Sequence, residues 1–310
     1  MGKRTYVIIG ATGHIGHVAA LELLKMGHTV KALGRNNEKL HQLEEEGAET
    51  VFLKDFDQAK ALADISEGAD AVFSFIPPAY EQTDFAAYQK RVGEAIVKGL
   101  ERAKVNYVVN LSSVGADLAQ GTGPIKGLHD QEERLNTLED VQVLHLRPCF
   151  FMENFYHLIP LLKMQGRFGM ALKGEVPIEM VATQDIGVKA AQFLDKLDFK
   201  GKTIFEYYGP KTYTLKEAAR ILGKEIGKDQ LEYTQFSYEE VEKGLLFMGM
   251  QPSSARLMIE MYHAFNEGKV KINKNLPQEH RGKTTLQQFS KDFALAYRNY
   301  KERSVASKSR

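Results

Sequence analysis

From Thr5 to Arg147, short runs of β-branched and aromatic residues alternate with longer stretches whose apolar positions recur at three- and four-residue steps. The short runs predict strands near 5–10, 29–33, 50–54, 70–76, 106–112 and 141–147. The longer stretches predict helices near 14–26, 38–46, 58–67, 84–103 and 126–139. In 84–103, Phe85, Tyr88, Val92, Ala95 and Ile96 mark one face, and Lys90, Arg91, Glu94 and Lys98 fall between them. Strands and helices alternating at this spacing imply an α/β fold with a doubly wound parallel sheet.

After Pro148 the alternation fails. An aromatic and methionine-rich segment (Phe150, Phe151, Met152, Phe155, Tyr156) leads into the glycine-containing stretch Gln165 to Gly174. We therefore expect one domain over 1–150 and a smaller, mostly helical domain over 151–310. Residues 178–210 are expected to return to the sheet through a helix near 185–196 and a strand at Thr203 to Tyr208. Helices near 214–227, 238–247 and 254–267 follow, and 301–310, rich in lysine, arginine and serine, reads as a frayed tail.

A 310-residue chain that is 43% hydrophobic can bury a sizeable core, which excludes the disordered classes. Lysine plus arginine number 41 and aspartate plus glutamate 40, so charge gives no reason to expect nucleic acid or a membrane surface as a partner. A small molecule is the expected ligand. The single Cys149 allows neither an internal disulfide nor a cysteine-based zinc site, which fits a reducing, cytoplasmic setting. Lys3 and Arg4 before an apolar run suggest a signal peptide, but the glycines between Gly10 and Gly16 interrupt it. No stretch reaches the roughly 18 apolar residues of a membrane span. No metal site is expected, since only His14 and His17 are closely spaced and both lie within the glycine motif.

That motif, Gly10-Ala11-Thr12-Gly13-His14-Ile15-Gly16, sits between a hydrophobic strand and an amphipathic helix. In this context Gly10 permits the tight turn, Gly13 lets backbone approach a pyrophosphate, and Gly16 lets the helix pack close to the strand. The helix start adds unpaired N–H groups and a positive dipole end. Together these predict a Rossmann-like, dinucleotide-binding first domain and a second domain that serves the substrate. The other reading is a glycine-rich turn without a ligand. Where an NAD-binding chain carries an acid after the second strand, this one reads Lys31-Ala32-Leu33-Gly34-Arg35-Asn36-Asn37. Arg35 stands where a guanidinium pairs with a 2′-phosphate, so NADP is the expected cofactor, with NAD possible. The alternative for Arg35 is an ordinary solvated loop arginine.

Several further segments carry a family likeness. They are Leu33-Gly34-Arg35-Asn36, Lys54-Asp55-Phe56-Asp57, Phe75-Ile76-Pro77-Pro78, Leu111-Ser112-Ser113-Val114-Gly115-Ala116, Leu146-Arg147-Pro148 and Phe151-Met152-Glu153-Asn154. Val181 to Ile186 and Tyr213 to Ala219 extend it. With Gly10 to Gly16, the chain resembles the NmrA-like branch of the atypical short-chain dehydrogenase/reductase superfamily over most of its length. The resemblance implies that Asp55 meets the adenine and that Ile76 and Pro77 lie beside the adenosine ribose or the pyrophosphate. It also implies that Phe150, Phe151 and Asn154 pass the nicotinamide, and it places Phe75, Ser112, Ser113 and Pro148 among the cofactor-binding residues. Asp55 as a helix cap, and Phe150 and Phe151 as core, are the plainer alternatives.

Working enzymes of that superfamily use a tyrosine and a lysine four residues apart on a helix. One such spacing, Tyr207 to Lys211, crosses Gly209-Pro210 and cannot lie on one helical face. At the expected place the chain reads Lys126-Gly127-Leu128-His129-Asp130-Gln131-Glu132-Glu133. His129 and Glu133 are an i, i+4 pair, so His129 is the candidate proton donor, Glu133 its orienting group or an acceptor for ribose hydroxyls, and Lys126 a further candidate. An ordinary helix surface is the competing reading. Hydride transfer survives without the tyrosine if the protein only positions an electron-poor acceptor. Phe151, Met152, Phe155, Tyr156, Met164, Phe168, Met170, Phe247, Met248 and Met250 then either line a pocket for a flat molecule or form a core.

The resemblance includes NADPH-dependent reductases of quinones, azo compounds and triphenylmethane dyes, which sets the first expectation: an oxidoreductase passing hydride to such an acceptor. A non-catalytic NADP(H)-binding redox sensor with a protein partner is the second. A sugar-nucleotide epimerase or dehydratase, which normally requires the tyrosine, is the third.

Overall fold

The computed structural model describes residues 2–300, so the tail expected over 301–310 lies outside the described residues. The first half runs β1 (Thr5–Ile9), α1 (His14–Lys25), β2 (Thr29–Gly34), α2 (Asn37–Glu45), β3 (Glu49–Phe52), α3 (Ala59–Ser66), β4 (Ala71–Ser74), α4 (Phe85–Arg102), β5 (Tyr107–Leu111), α5 (Ile125–Asn136) and β6 (Gln142–Pro148). The remainder runs β7 (Phe150–Phe151), α6 (Ile159–Gln165), β8 (Phe168–Met170), β9 (Ile178–Val181), α7 (Thr183–Lys196), β10 (Lys202–Tyr207), β11 (Thr212–Tyr213), α8 (Leu215–Glu225), β12 (Tyr233–Gln235), α9 (Tyr238–Phe247), α10 (Pro252–Asn266) and α11 (Leu286–Asn299). Two 3₁₀ turns, Met152–Leu158 and Gln278–His280, join them. Among the described residues no helix is long and apolar enough to cross a membrane.

Seven parallel strands in the order β10-β6-β5-β4-β1-β2-β3 form the central sheet. Alternate side chains of a strand serve opposite faces. Tyr6 and Ile8 of β1 join a core with Ala19 and Leu23 of α1, Leu40 and Leu43 of α2, and Ile186 and Ala190 of α7. Val7 and Ile9 join a second core with Leu62 of α3, Val92 and Ile96 of α4, and Leu135 of α5. The fold is Rossmann-like, with helices on both faces. Strand order reverses between β1 and β4, which opens a crevice at the carboxyl ends of the strands, where ligands of such sheets bind.

A third core, with Met152, Phe155, Phe168, Met170, Tyr213, Leu222, Phe289 and Phe293, lies beside that crevice. Two tethers bind it to the sheet. Asp185 at the start of α7 accepts from the Thr284 amide at 2.7 Å and its hydroxyl at 2.9 Å. Glu179 of β9 pairs with Arg281 at 2.8 Å. Helices α2, α4, α8, α9 and α11 begin where Asn36, Asp84, Thr214, Ser237 and Thr285 cap them.

Candidate dinucleotide site

Gly10 ends β1 at φ 73°, a left-handed conformation that favours glycine. A Cβ there would also fall inside the Phe75 ring. A Cβ on Gly16 would lie 2.6 Å from the Gly10 carbonyl oxygen, so helix and turn are in direct contact. Gly13 differs from both: it is exposed, and the only neighbour of an added Cβ is the Gly10 oxygen at 3.3 Å. Protein packing therefore does not account for a glycine at this position. The exposed backbone here leaves room for a ligand to approach.

The Gly13 amide donates to Gly10 at 2.9 Å, and the first bond of the helix runs from the His17 amide to Gly13 at 2.9 Å. Among the described residues the amides of His14, Ile15 and Gly16 are thus left at the helix start without backbone partners. The first turn carries no carboxylate. Lys39 of α2 donates to the Thr12 carbonyl at 3.2 Å and so brings an ammonium to the turn. Burial, and after it the Lys39 charge, lower the His14 and His17 imidazoles from their ordinary value. The whole constellation, Gly10 to Gly16 with Ala11 packed beneath at 0% exposure, suits an anion such as a pyrophosphate.

Arg35 follows β2 directly and is exposed, its guanidinium 5.9 Å from the Phe56 ring. Asp55 is exposed on the loop after β3. After β4, Phe75 is half-buried against Gly10, while Ile76 and Pro77 are buried. At the end of β6, Pro148 is buried and its carbonyl accepts from Val114 at 3.1 Å. Phe151 packs against the α1 and α7 side of the sheet and Phe150 against the third core. Half-buried Asn154 follows in the first 3₁₀ turn, where its neighbour Glu153 caps α7 by accepting from the Thr183 hydroxyl at 2.6 Å. A cavity of about 290 Å³ between Gly13, His14, Lys39 and Glu153 flanks the turn. A larger one of about 470 Å³ lies among Arg4, Asp70 and Lys104, away from these residues.

The expected catalytic cluster is arranged differently from the i, i+4 reading. The His129 Nδ1 lies 2.8 Å from the Ala116 carbonyl, which can only accept, so Nδ1 carries a proton and donates it to that carbonyl. Glu133 is exposed and pairs with no side chain among the described residues, so Ala116 orients the imidazole and Glu133 does not. Lys126 is exposed and held by Asp130 at 2.6 Å. The buried carboxylate is the neighbouring Glu132, which the sequence reading missed. Its Oε1 accepts from the Ser112 hydroxyl at 2.5 Å and from Arg147 Nε at 2.9 Å, and its Oε2 accepts from Arg147 Nη2 at 2.5 Å. Ser113 donates to the Val114 carbonyl at 2.9 Å. Both serine protons at the end of β5 are therefore spent within the protein.

The aromatic and methionine residues of the second half also divide. Met152, Phe155, Phe168 and Met170 are core, and Met164, Phe247 and Met248 face solvent at 56%, 82% and 63% exposure. As a set they do not line a pocket.

The sequence profile of the NmrA-like family matches residues 2–289. This chain belongs to the NmrA-like family. The chain is 29% identical over 275 residues to prestalk A differentiation protein A of Dictyostelium discoideum, covering 86% of this chain and 84% of that protein. It is 26% identical over 258 residues to the NAD(P)H azoreductase of Xenophilus azovorans, covering 83% and 85%. Its fold matches the Citrobacter triphenylmethane reductase complexed with NADP(H), with a TM-score of 0.76 and 21% identity over 94% of this chain and 99% of that one. A protein named as an NAD(P)H azoreductase is thus among its relatives, and the triphenylmethane reductase shares its fold.

Proposed function

We propose that this protein is an NADP(H)-dependent oxidoreductase, cytoplasmic, that reduces a flat quinone-, azo- or dye-like small molecule. One observation carries the reading: an exposed glycine turn with unpartnered amides, flanked by the cations Arg35 and Lys39 and with no carboxylate in the first turn of its helix. The relatives named for azo-compound and triphenylmethane reduction support the acceptor class.

The bound dinucleotide supplies the hydride. The chain supplies everything else. The amides of His14, Ile15 and Gly16 hold the pyrophosphate, and Arg35 with Lys39 faces the 2′-phosphate. Asp55, Phe75, Ile76 and Pro77 border the adenosine half, and Ser112, Ser113, Pro148, Phe150, Phe151 and Asn154 border the nicotinamide half. Ser112 can only accept a hydrogen bond, because its proton is committed to Glu132. With Nδ1 committed to Ala116, His129 has only Nε2 left to meet a ribose hydroxyl.

The test is a paired fluorescence titration with NADPH and NADH, followed by addition of menadione or an azo dye while absorbance at 340 nm is recorded. Tight NADPH binding with acceptor-dependent oxidation is expected. Binding without turnover on a broad acceptor panel turns the reading to a redox sensor, and no binding of either dinucleotide overturns it.

A further inference from the structure

The cavity of about 470 Å³ lies at the amino ends of β1, β4 and β5, at the opposite end of the sheet from the glycine turn. Helices α3, α4 and α7 end against it. Bare carbonyls at such ends would repel an anion, but here they are closed. The Val105 amide donates to the Leu100 carbonyl at 3.2 Å and the Leu197 amide to Phe193 at 3.0 Å. Arg4 Nη1 donates to the Asp195 carbonyl at 2.5 Å, and Lys31 donates to Ile65 at 3.1 Å. Side chains therefore set the charge of the cavity. Arg4, Lys104, Lys196 and Asp70 all line it. The Asp70 carboxylate accepts from the Thr5 amide at 2.7 Å, and the nearby Asp195 carboxylate is engaged by His28 at 3.0 Å. Lys104 and Lys196 are exposed and pair with no acid among the described residues. The Asn106 amide and the Tyr107 phenol add neutral donors to the same cavity.

The backbone singles out one of these cations. Lys104 at φ 53° and Leu197 at φ 49° are the two non-glycine residues in the left-handed region among the described residues, and both line this cavity. Helices α1, α2, α6, α8, α9 and α10 are followed by glycine in that conformation, at Gly27, Gly47, Gly166, Gly227, Gly249 and Gly268. Leu197 is half-buried and packs on the first core, which accounts for a side chain there. Lys104 is exposed and belongs to none of the three cores. A lysine thus stands where glycine is the easier residue, and the cavity is what its ammonium faces.

We propose that this cavity is a second anion site, separate from the dinucleotide site, and that Lys104 and Lys196 hold there a small phosphorylated molecule with more than one anionic group. The two lysines come from different helix ends, α4 and α7, so a ligand with two charged groups engages both where a lone phosphate engages one. Arg4, with one nitrogen on the Asp195 carbonyl, keeps further donors for the same ligand. The cavity shares no lining residue with the one beside the glycine turn. Helix α7 connects them: it starts at Thr183, which Glu153 caps beside that turn, and ends at Lys196. A dinucleotide and a second anion can therefore be bound at the same time.

The experiment is a calorimetric titration with inorganic pyrophosphate, and in parallel with orthophosphate, of protein saturated with NADP⁺ so that the glycine turn is filled. Wild type is compared with Lys104→Gly, Lys196→Gln and the double variant. Wild type should bind pyrophosphate more tightly than orthophosphate. Each single substitution should weaken pyrophosphate binding about tenfold, the effect of one lost charge-assisted bond. Without ligand, Lys104→Gly should melt no lower than wild type, because glycine suits φ 53°, so its lost affinity is not lost folding. A wild type that binds no pyrophosphate overturns the proposal, as does a wild type that prefers orthophosphate. Equal pyrophosphate affinity in wild type and the double variant also overturns it and puts the anion at the glycine turn. Should NADP⁺ itself fail to bind, the dinucleotide reading falls, while pyrophosphate binding that still depends on Lys104 and Lys196 upholds the second site.

Discussion

Glu132 on α5 grips Arg147 on β6 through both carboxylate oxygens, at 2.9 and 2.5 Å, with the two residues 3% and 7% exposed. The pair fixes the helix that carries Lys126 and His129 to the strand that leads into Pro148 and Phe150. It also decides which way the Ser112 hydroxyl points. A buried pair of this kind is weak support for net stability, yet breaking it leaves a charge without a partner.

Glu132→Ala should therefore cost about 3–5 kcal/mol, read as a lowered urea midpoint. Replacing both partners, Glu132→Leu with Arg147→Met, should recover most of that loss. A single variant as stable as wild type would show that Arg147 finds another partner.

The glycines of the turn should separate by role. Gly10→Ala meets both a positive φ and the Phe75 ring, and should destabilise the fold by about 2–4 kcal/mol in thermal or urea unfolding. Gly13→Ala fits its extended backbone, at φ −87° and ψ 166°, and should leave the melting temperature nearly unchanged. Its NADPH affinity should nonetheless fall by about tenfold or more, equivalent to about 1.4 kcal/mol. Wild-type affinity in Gly13→Ala would mean that no phosphate approaches that backbone.

Arg35→Ala should weaken NADPH binding by about tenfold and leave NADH binding unchanged, as expected for one exposed charge-assisted contact. Lys39→Ala should act in the same direction. Raising the salt to about 0.5 M should shrink the NADPH preference of the wild type, because both cations are exposed.

His145 supplies a pH dependence. On β6 it accepts from Asn110 at 3.2 Å and faces Asn136 at 2.9 Å, and burial drops its imidazole to about 4. The unfolded chain binds a proton near 6.5 and the folded chain does not, so stability is full above about 6.5 and falls as pH drops toward 4. The loss should approach about 3 kcal/mol. Urea midpoints at pH 7.5 and 4.5 measure it, and His145→Gln should flatten the difference.

The sheet strands β1 to β6 were legible because buried parallel strands read as dense apolar runs, and each is followed by a helix with its own periodicity. The glycine turn was legible because its conformation is set locally, by Gly10 at a positive φ and Gly16 against it. Glu132 was not. Adjacent acids occupy 132 and 133, and only the phase of α5 turns Gln131, Glu132 and Leu135 inward and leaves Glu133 outside. That phase is set by a partner fifteen residues away. Strands β7, β9 and β11 hold only two to four residues, and their pairing is non-local, so no periodicity announces them. Helix α11 was readable, with Thr285 and Gln288 as a capping box ahead of Leu286, Phe289 and Phe293, yet it fell outside the expected helices.

The seventh strand of the sheet, β10, is supplied from Lys202–Tyr207, after the chain has already left to build part of the third core. A fragment ending at Pro148 would leave the hydrogen-bonding edge of β6 bare and α1 without its neighbour α7. Such a fragment should aggregate rather than bind. The sheet and the third core are sewn together and cannot be exchanged as separate cassettes: grafting a foreign second half onto this chain requires two junctions, one on each side of β10.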